Sequence, residues 1–514
     1  MPTPPRSRRH AVVLIALGIV VTWMARSFQE AGHGWGDDFA LYVNQARGLS
    51  DGTLWDVVAD NRFGLANSAW DYYSPIAYPW LFPLLLMPFV AVGGLDYSLL
   101  KWVPTLSFTV AVLCVLVIAR RRLNRPATVL VTALVALNPW YLSATDAVLS
   151  DLVFLAAVLA AIVMLDRAVV HQRVITESWG PMIGAALFIA AAFHIRREAL
   201  GLGLALAMVQ VMAHRAAPHR SSRRALLTPW AWLIGAAIGF HLLLPAPLLA
   251  TDAPGGGLAA LKHHIPWYRL PLAELIGLKE IGDHPVSGWG STLVGNIVFW
   301  AIIIGALIGI AAGVADVIAR RTSTMPHLVG AVVGVGGVVA IAPYHYQRYI
   351  YTVAVLTPIL AAYGWQQLLG RDRRRTSAMA AIVLLLVPVT QHVSDTVRSL
   401  DYHRAYTYTH WGPDDPAVAD LFAAVRHYTD QRDVVVFFQA RSMNLYTGRL
   451  AIQGNNETMM VERGDWYAQE RDSDYIQTPL TTQRAAELGF DAVWSNSKFI
   501  LWRIPDRRYE PIEP

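Results

Sequence analysis

Residues 34–49 read Gly34-Trp35-Gly36-Asp37-Asp38-Phe39-Ala40-Leu41-Tyr42-Val43-Asn44-Gln45-Ala46-Arg47-Gly48-Leu49, directly after the first apolar segment of the chain. Two neighbouring carboxylates follow a short glycine-rich link and begin a pattern with helical spacing. Its apolar members form one stripe, made of Phe39, Tyr42, Val43, Ala46 and Leu49. We predict a helix that lies on a bilayer surface with its acidic N-terminus turned to one side. Paired acids at a membrane boundary indicate proton-transfer or metal chemistry.

The two acids need not share one role. A helix takes a single N-cap residue, and Asp37 stands where that residue belongs. Asp38 is then the first candidate for a functional carboxylate, and Asp37 is the second. The alternative is that both acids only cap and solvate the helix.

The composition is that of a polytopic membrane protein. Of the 514 residues, 54% are hydrophobic and 15% are charged, against roughly 25% charged in an ordinary soluble protein. The net charge of +5 comes from arginine in short loops between apolar runs, which is a topology signal and not a nucleic-acid signal. The single cysteine, Cys114, excludes an intrachain disulfide. The first apolar run, 11–25, follows three arginines without a small-residue cleavage site, so we expect a retained signal anchor.

Many apolar runs approach the ~20 residues that cross a bilayer. We predict about eleven spans, at residues 11–26, 98–119, 127–143, 147–165, 180–195, 199–213, 226–248, 291–315, 327–343, 347–369 and 377–393.

Arginine clusters give the orientation, because those at the ends of alternate spans all fall on one side, which the positive-inside rule makes cytoplasmic. The clusters are Arg6/Arg8/Arg9, Arg120/Arg121/Arg122/Arg125, Arg167/Arg173, Arg215/Arg220/Arg223/Arg224, Arg320/Arg321 and Arg371/Arg373/Arg374/Arg375. This alternation requires that the apolar segment 76–94 does not cross. Four prolines in and beside that segment favour a re-entrant or interfacial helix pair. A true span there would invert everything downstream.

On this topology the N-terminus is cytoplasmic, and the outer face carries the long loops 27–97 and 249–290 and the C-terminal tail. We divide the chain into a membrane domain, 1–393, and an outer-face domain, 394–514. The tail reads as mixed α/β, with helices at 416–428 and 482–488 and strands at 434–438, 490–494 and 499–502. The predicted fold class is therefore mainly α, a polytopic helical bundle with a small C-terminal α/β domain.

Several ionisable residues fall at outer ends of the predicted spans. Asp146 and Asp151 bracket one outer turn, where one can cap the next helix and the other then faces the outer cleft. Arg196 and Arg197 occupy another turn, where arginine breaks the positive-inside rule. An ion pair with Glu198 accounts for them simply. We favour an anionic ligand such as a phosphate, which arginine binds bidentately.

Two further groups extend the phosphate hypothesis. His345 and Arg348 lie at a third outer end, and Lys262 and His263 lie in the long outer loop, where a solvated role is the simpler account. The chain has no Walker A motif, no dinucleotide fingerprint and no His-x-x-x-His pair. This argues against a nucleotide-driven pump or a cytoplasmic kinase.

The ordered set of these features resembles the GT-C class of membrane glycosyltransferases, in the branch of the protein O-mannosyltransferases and the lipid A aminoarabinose transferase (glycosyltransferase family 39-like). The resemblance covers about three quarters of the chain and rests on the stretches 38–42, 73–79, 149–151, 196–200 and 345–349, with a looser match at 441–449. The family motif has an acid after its Asp. Here Phe39 holds that place and Asp37 precedes.

The resemblance implies a donor that is a polyprenyl-phosphate-linked sugar, and a glycan, lipid or protein hydroxyl as acceptor. It implies an inverting transfer on the periplasmic face of the inner membrane, with Asp38 as general base and Tyr42 at its family spacing. Asp151 or Asp146 would orient the acceptor or a bound cation. No cofactor follows for certain, and a divalent cation on Asp38 and Asp151 stays open. No nucleic-acid partner is expected.

Three other readings compete with a transferase. A secondary transporter predicts ionisable residues near mid-membrane and two matching halves, which the sequence does not display. A non-catalytic cell-envelope polysaccharide assembly protein would leave the Asp and Arg residues without a chemical role. A lipid-linked polysaccharide polymerase or ligase would place its main functional loop late in the chain.

Overall fold

The computed structural model describes residues 6–69, 75–170, 180–216, 222–246, 293–319, 321, 323–340, 347–369, 374–405, 412–454, 457–471, 473 and 479–505. Helices dominate these residues, and a small sheet forms near the C-terminal end. The predicted class is confirmed, since the chain is a mainly α-helical polytopic membrane protein with a small C-terminal α/β domain.

The helices of the N-terminal three quarters follow the apolar runs of the sequence. They are α1 (Arg6–Ser27), α2 (Asp37–Asp51), α3 (Leu54–Asn67), α4 (Leu81–Gly93), α5 (Tyr97–Leu100), α6 (Trp102–Arg120), α7 (Arg125–Ala136), α8 (Pro139–Ala144), α9 (Asp151–Val170), α10 (Gly180–Phe193), α11 (Leu202–Ala216), α12 (Arg223–Leu243), α13 (Leu293–Ile318), α14 (Pro326–Ala340), α15 (Tyr351–Leu368) and α16 (Arg374–Ala405). Short 3-10 helices at Arg197–Gly201 and Gln347–Ile350 precede α11 and α15.

Length and hydropathy identify membrane-crossing segments among the described helices. Five are long and apolar enough to cross a bilayer: Tyr97–Arg120, Asp151–Val169, Arg197–Ala216, Arg223–Leu243 and Leu293–Ile318. Shorter apolar helices include α4, whose 13 residues extend about 20 Å. Its side of the membrane, and whether it crosses, stay predictions.

The predicted span 127–143 is not one continuous helix. Residues 127–143 divide into α7 and α8, because the Asn138 side chain accepts the backbone N–H of Trp140 and caps a new helix that has Pro139 in its first turn.

Close backbone packing holds the 3-10 helix Arg197–Gly201 in place. A Cβ on Gly201 would lie 2.2 Å from the carbonyl carbon of Gly334 in α14. Only glycine permits this approach, as at many helix crossings in membranes. The turn that carries Arg196 and Glu198 is therefore fixed against the bundle.

Helix α2 packs against protein on both faces, and its position relative to the bilayer stays a prediction. Residues on both faces of the helix are buried, including the polar Asn44 and Gln45. Asn44 Nδ2 donates to Asn444 Oδ1 over 2.7 Å, and Gln45 Nε2 donates to the carbonyl oxygen of Tyr78 over 3.0 Å. The apolar stripe packs toward α4, and the C-terminal domain covers the opposite face.

The C-terminal domain forms a five-stranded mixed sheet in the order β2-β1-β3-β5-β4. Its elements are α17 (Pro416–Tyr428), β1 (Val434–Val436), α18 (Ala440–Thr447), β2 (Leu450–Ile452), α19 (Glu457–Arg463), β3 (Trp466–Glu470), α20 (Thr482–Glu487), β4 (Asp491–Ser495) and β5 (Phe499–Arg503). Strand β1 pairs in parallel with β2 and β3, and β5 pairs antiparallel with β3 and β4. The five predicted tail elements are present; β2, β3, α18 and α19 were not predicted. The proposed boundary at 393 falls inside α16, and the division into domains stays a prediction.

Candidate active site

Six short pieces of the chain meet where the C-terminal domain rests on the membrane bundle. They are the first turn of α2, the segment before α4, the first turn of α9, the two 3-10 helices, and α18. Most are element ends, where side chains can point away from the packed helices into a shared space.

Asp38 lies at the centre of this group. Its Oδ1 accepts the hydroxyl of Tyr78 over 2.6 Å, and its Oδ2 accepts Nη2 of Arg348 over 2.6 Å. The Asp38 side chain is 33% exposed, and that of Arg348 is 27% exposed. Burial by itself would raise the pKa of Asp38, but Arg348, Tyr78 and Arg441 outweigh it and hold the pKa below its usual range. Asp38 is thus an ionised, accessible carboxylate at neutral pH.

Asp37 does not cap the helix, so that prediction is wrong. Helix α2 begins at Asp37, and the N-cap position falls on Gly36, which makes no side-chain cap. Asp37 Oδ2 instead accepts Nε2 of Gln453 over 2.9 Å. Asp37 therefore links α2 to the C-terminal domain, while its neighbour Asp38 faces Arg348.

Arg196 forms the second ionic group of the site. Its Nη1 lies 2.5 Å from Asp151 Oδ1, and its Nη2 lies 2.7 Å from Glu198 Oε1. The guanidinium also lies over the ring of Tyr349, 4.6 Å from the ring centroid. Burial would lower the pKa of Arg196, but Glu198 and Asp151 raise it well above its usual value. The simpler of the two predicted contacts, the ion pair with Glu198, is present, and Asp151 joins it.

Arg197 points elsewhere. Its Nη1 donates to the carbonyl oxygen of Phe193 over 2.9 Å, and its guanidinium lies over the Phe193 ring at 4.4 Å. The structure therefore does not bring the two neighbouring arginines into one binding fork around Asp38.

Tyr42 packs against Tyr78 and positions it in the site. It is 5% exposed, and its hydroxyl lies 2.9 Å from Ser150 Oγ at the start of α9. Its ring stacks on that of Tyr78 with centroids 4.3 Å apart and planes at 26°. This stacking holds the Tyr78 hydroxyl against Asp38.

Asp146 belongs to a separate group. Its Oδ1 lies 2.7 Å from Nζ of Lys101, whose side chain is 0% exposed. The same ammonium donates to the carbonyl oxygens of Glu30 and Gly32 over 2.8 and 2.6 Å. Burial raises the pKa of Asp146 against the opposing effect of Lys101. The pair anchors the segment before α2 and is not assembled with Asp38.

Three predicted ligand contacts, Lys262, His263 and His345, lie outside the described residues. Within the described part of the chain, no group of three or more His, Cys, Asp or Glu is arranged to hold a metal ion. Asp38 and Asp151 each have an arginine partner instead, so a divalent cation on these two acids stays a prediction.

Sequence reasoning missed Tyr78, Tyr349 and Arg441 as site residues. Tyr78 and Tyr349 stood inside the motif stretches without a role of their own. Arg441 comes 403 positions after Asp38, and its Nη1 lies 4.0 Å from Asp38 Oδ1. Its sequence signals are the looser family match at 441–449, in which it had no role of its own, and its place as a basic residue after a buried strand.

No protein-family model matches the chain, and no curated protein matches it in sequence. Solved structures do resemble it. ArnT from Cupriavidus metallidurans bound to undecaprenyl phosphate has a TM-score of 0.54 at 13% identity over 96% of this chain and 97% of that chain. Its apo form gives 0.56 at 12% identity over 97% and 98%.

The chain has the GT-C fold. The archaeal oligosaccharyltransferase AglB from Archaeoglobus fulgidus, in complex with an inhibitory peptide and a dolichol-phosphate, is similar with a TM-score of 0.50 at 10% identity, over 85% of this chain and 64% of that chain. The predicted family resemblance is confirmed at the level of the GT-C fold. Identities of 10–13% carry the fold and not the substrate.

Proposed function

We propose that this GT-C protein transfers a sugar from a polyprenyl-phosphate carrier to an acceptor hydroxyl, with inversion at the anomeric carbon. The observation that carries the proposal is the Asp38–Arg348 pair, in which both partners are partly exposed and each is hydrogen-bonded to the other over 2.6 Å. One partner suits the phosphate of a donor, and the other suits the proton of an acceptor.

Arg348 is the phosphate ligand in this proposal. An arginine forms bidentate, charge-assisted hydrogen bonds with phosphate, which lysine cannot reproduce. The donor phosphate and Asp38 then compete for the same guanidinium. The resembling ArnT structure is described as bound to undecaprenyl phosphate, which supports this class of donor. Further candidates for binding the donor headgroup are Arg196 and Arg197. The same role is open to His345, Lys262 and His263, which lie outside the described residues.

Asp38 is the general base. When the donor phosphate draws Arg348 away, Asp38 loses the partner that most lowers its pKa, so its basicity rises at the moment the donor is bound. The acceptor oxygen bonds to the anomeric carbon as the bond from that carbon to the phosphate oxygen breaks. The phosphate leaves with the bonding electron pair, and Asp38 receives the hydroxyl proton. Such base catalysis contributes ~10²–10⁴-fold in rate.

Asp151 orients the acceptor or a divalent cation, and Arg196, which also pairs with Glu198, fixes the Asp151 carboxylate in place. Charge on the departing phosphate is stabilised by fixed arginines, an electrostatic effect of several kcal/mol. The acceptor is a hydroxyl of a glycan, lipid or protein.

Transfer assays on purified protein in lipid nanodiscs test the proposal. A panel of polyprenyl-phosphate sugars is offered with water or a mixed envelope fraction as acceptor, and release of free polyprenyl phosphate is measured. We expect release from at least one donor, and roughly 10- to 100-fold less with Arg348→Ala at donor concentrations below KM. Release from no donor, or equal release by Arg348→Ala, contradicts the proposal, and movement of an intact donor across the bilayer would favour a transporter.

In this proposal the site lies on the periplasmic side of the inner membrane, with the C-terminal domain outside. Gln431 is exposed in that domain, so Gln431→Cys on a Cys114→Ala background provides a single reporter thiol. An impermeant maleimide is expected to label it from the outer side of intact spheroplasts. Labelling from the cytoplasmic side alone would reverse the topology.

A further inference from the structure

Arg441 reaches the site from the C-terminal domain and is held rigidly there. It lies in the first turn of α18 and is 6% exposed. Its Nε donates to Asn61 Oδ1 over 2.9 Å, and its Nη2 donates to the carbonyl oxygen of Pro75 over 2.9 Å. Asn61 Nδ2 donates to the same carbonyl oxygen over 2.9 Å. The three residues form a closed network that fixes the plane of the guanidinium.

The same guanidinium also approaches Asp38. Nη1 lies 4.0 Å from Asp38 Oδ1, and the guanidinium carbon lies 5.6 Å from the centroid of the Tyr78 ring. Tyr78 donates its hydroxyl to this same Oδ1. One oxygen of the carboxylate thus faces Tyr78 and Arg441, while the other faces Arg348.

Helix α18 contacts α2, α3 and α5 through several independent hydrogen bonds. Asn444 Oδ1 accepts Nδ2 of Asn44 over 2.7 Å, and Asn444 Nδ2 donates to Asp60 Oδ2 over 3.1 Å. The Tyr446 and Tyr97 hydroxyls lie 2.7 Å apart. Loss of the Arg441 charge therefore leaves other contacts that keep the domain seated.

We propose that Arg441 is a positioning residue of the transfer site, through which the docked C-terminal domain sets a fixed positive charge beside Asp38 Oδ1 and keeps that oxygen directed at Tyr78. The proposal rests on the proposed function only in giving Asp38 a chemical task. The C-terminal domain is, on this account, a component of the active site and not an appended binding module. When Arg348 binds the donor phosphate, Arg441 stays beside Asp38.

Protonation of Asp38 can be measured without any transfer reaction. A water-soluble carbodiimide with an amine labels protonated carboxyls, and mass spectrometry of the Asp38 peptide across pH gives a half-labelling point. Coulomb attraction at 4 Å corresponds, even in bulk water, to a shift of roughly 0.7 pH unit. We expect Arg441→Gln to raise the half-point by about that amount, and Arg441→Lys to raise it less.

The matched control is Asn444→Ala, which removes a docking contact on the same helix but does not face Asp38. It is expected to lower thermal stability and leave the half-point unchanged. An unchanged half-point in Arg441→Gln, or an equal rise in Asn444→Ala, overturns the proposal. If Arg441→Gln does not fold, Asn61→Ala is the second variant, because it removes the acceptor of Arg441 Nε. It is expected to raise the half-point by a smaller amount. An unchanged half-point in Asn61→Ala also overturns the proposal.

The pH dependence of kcat/KM separates this proposal from the proposed function. Charged and titratable groups around Asp38 come from every adjacent element: Arg348, Tyr349, Tyr78, Tyr42, Arg196, Asp151 and Arg441. The acid limb should move upward in Arg441→Gln and return toward wild type in Arg441→Lys. An inactive wild type with a shifted labelling point refutes the transferase and supports Arg441. An active wild type, with neither the half-labelling point nor the acid limb of kcat/KM moved in Arg441→Gln, supports the transferase and refutes the role of Arg441.

Discussion

The chain contains two carboxylate–arginine groups of similar chemistry in different surroundings. Asp166 accepts both Nη atoms of Arg122 over 2.9 and 2.5 Å and lies 2.6 Å from His327 Nε2. The side chains of Asp166 and His327 are 0% exposed, and that of Arg122 is 1% exposed. Asp38 and Arg348, by contrast, are 33% and 27% exposed.

The difference separates a structural ion pair from one that can exchange partners. The Asp166 group joins α6, α9 and α14, and no incoming ligand reaches it without unpacking the bundle. The Asp38 group joins α2 to a 3-10 helix through Nη2 of Arg348, and both side chains are partly exposed. Removing a charge from the first group should therefore cost stability, and removing one from the second should cost activity.

The largest expected effect is on turnover. Asp38→Asn keeps the size and hydrogen-bonding capacity of the side chain but cannot take a proton, so transfer should fall by at least ~10²-fold with an unchanged melting temperature. Asp37→Asn, whose side chain faces Gln453, is the control and should retain activity within a few-fold. Near-wild-type transfer by Asp38→Asn would remove Asp38 from the mechanism.

Asp166→Asn should lower stability and leave transfer activity unchanged. It leaves Arg122 buried beside an uncharged partner, an arrangement that costs about 3–5 kcal/mol in comparable buried pairs. Thermal unfolding in detergent should show the loss, while transfer per folded molecule stays unchanged. Arg120→Gln, at an exposed residue near the same helix end, should change neither quantity. A selective loss of transfer in Asp166→Asn would mean that the buried group also serves catalysis.

Arg348→Ala and Arg348→Lys sharpen the contrast by probing donor binding. A charge-assisted hydrogen bond contributes ~1.5–3 kcal/mol, so Arg348→Ala should weaken binding of a polyprenyl-phosphate sugar by roughly 10- to 100-fold. Arg348→Lys should restore only part of the lost donor affinity, since the planar fork of the guanidinium is lost. Equal affinity in all three proteins, measured by competition with labelled donor, would assign the phosphate to other residues.

The smallest effect concerns His33, which holds the segment before α2. Its Nε2 accepts the backbone N–H of Val148 over 3.0 Å, and its Nδ1 donates to the carbonyl oxygen of Gly34 over 2.7 Å. Burial lowers the pKa of His33 to about 3, so folding favours the neutral ring. The unfolded chain takes up a proton below about pH 6.5, and stability therefore falls as the pH falls.

Between pH 7 and pH 5 this linkage costs about 2 kcal/mol. His33→Gln should flatten the dependence of unfolding free energy on pH over that range, with little change in transfer at pH 7. An unaltered slope would assign the acid sensitivity to other groups.

Asp38 and Arg348 illustrate how far the sequence led toward the site. Both were predicted from charge at the outer ends of apolar runs, and the structure joins them directly. Arg196 and Asp151 were also predicted, with the ion pair to Glu198 as the simpler alternative. Asp146 lies apart from this group because it pairs with the buried Lys101. Lys101 stands directly before α6 and belongs to no motif, so the sequence did not predict this pair.

The sequence by itself determined the membrane class and the approximate positions of most apolar helices, because apolar periodicity and arginine placement are local properties that each segment carries alone. The GT-C resemblance came from short motif stretches, which are local in the same sense. Tertiary structure decided which carboxylate is accessible and which partner it meets. Asp37 and Asp38 are chemically identical neighbours, separated by about 100° around a helix. That rotation turns one toward Gln453 and the other toward Arg348 and Arg441, and these partners come from distant parts of the chain that only the tertiary structure brings to α2.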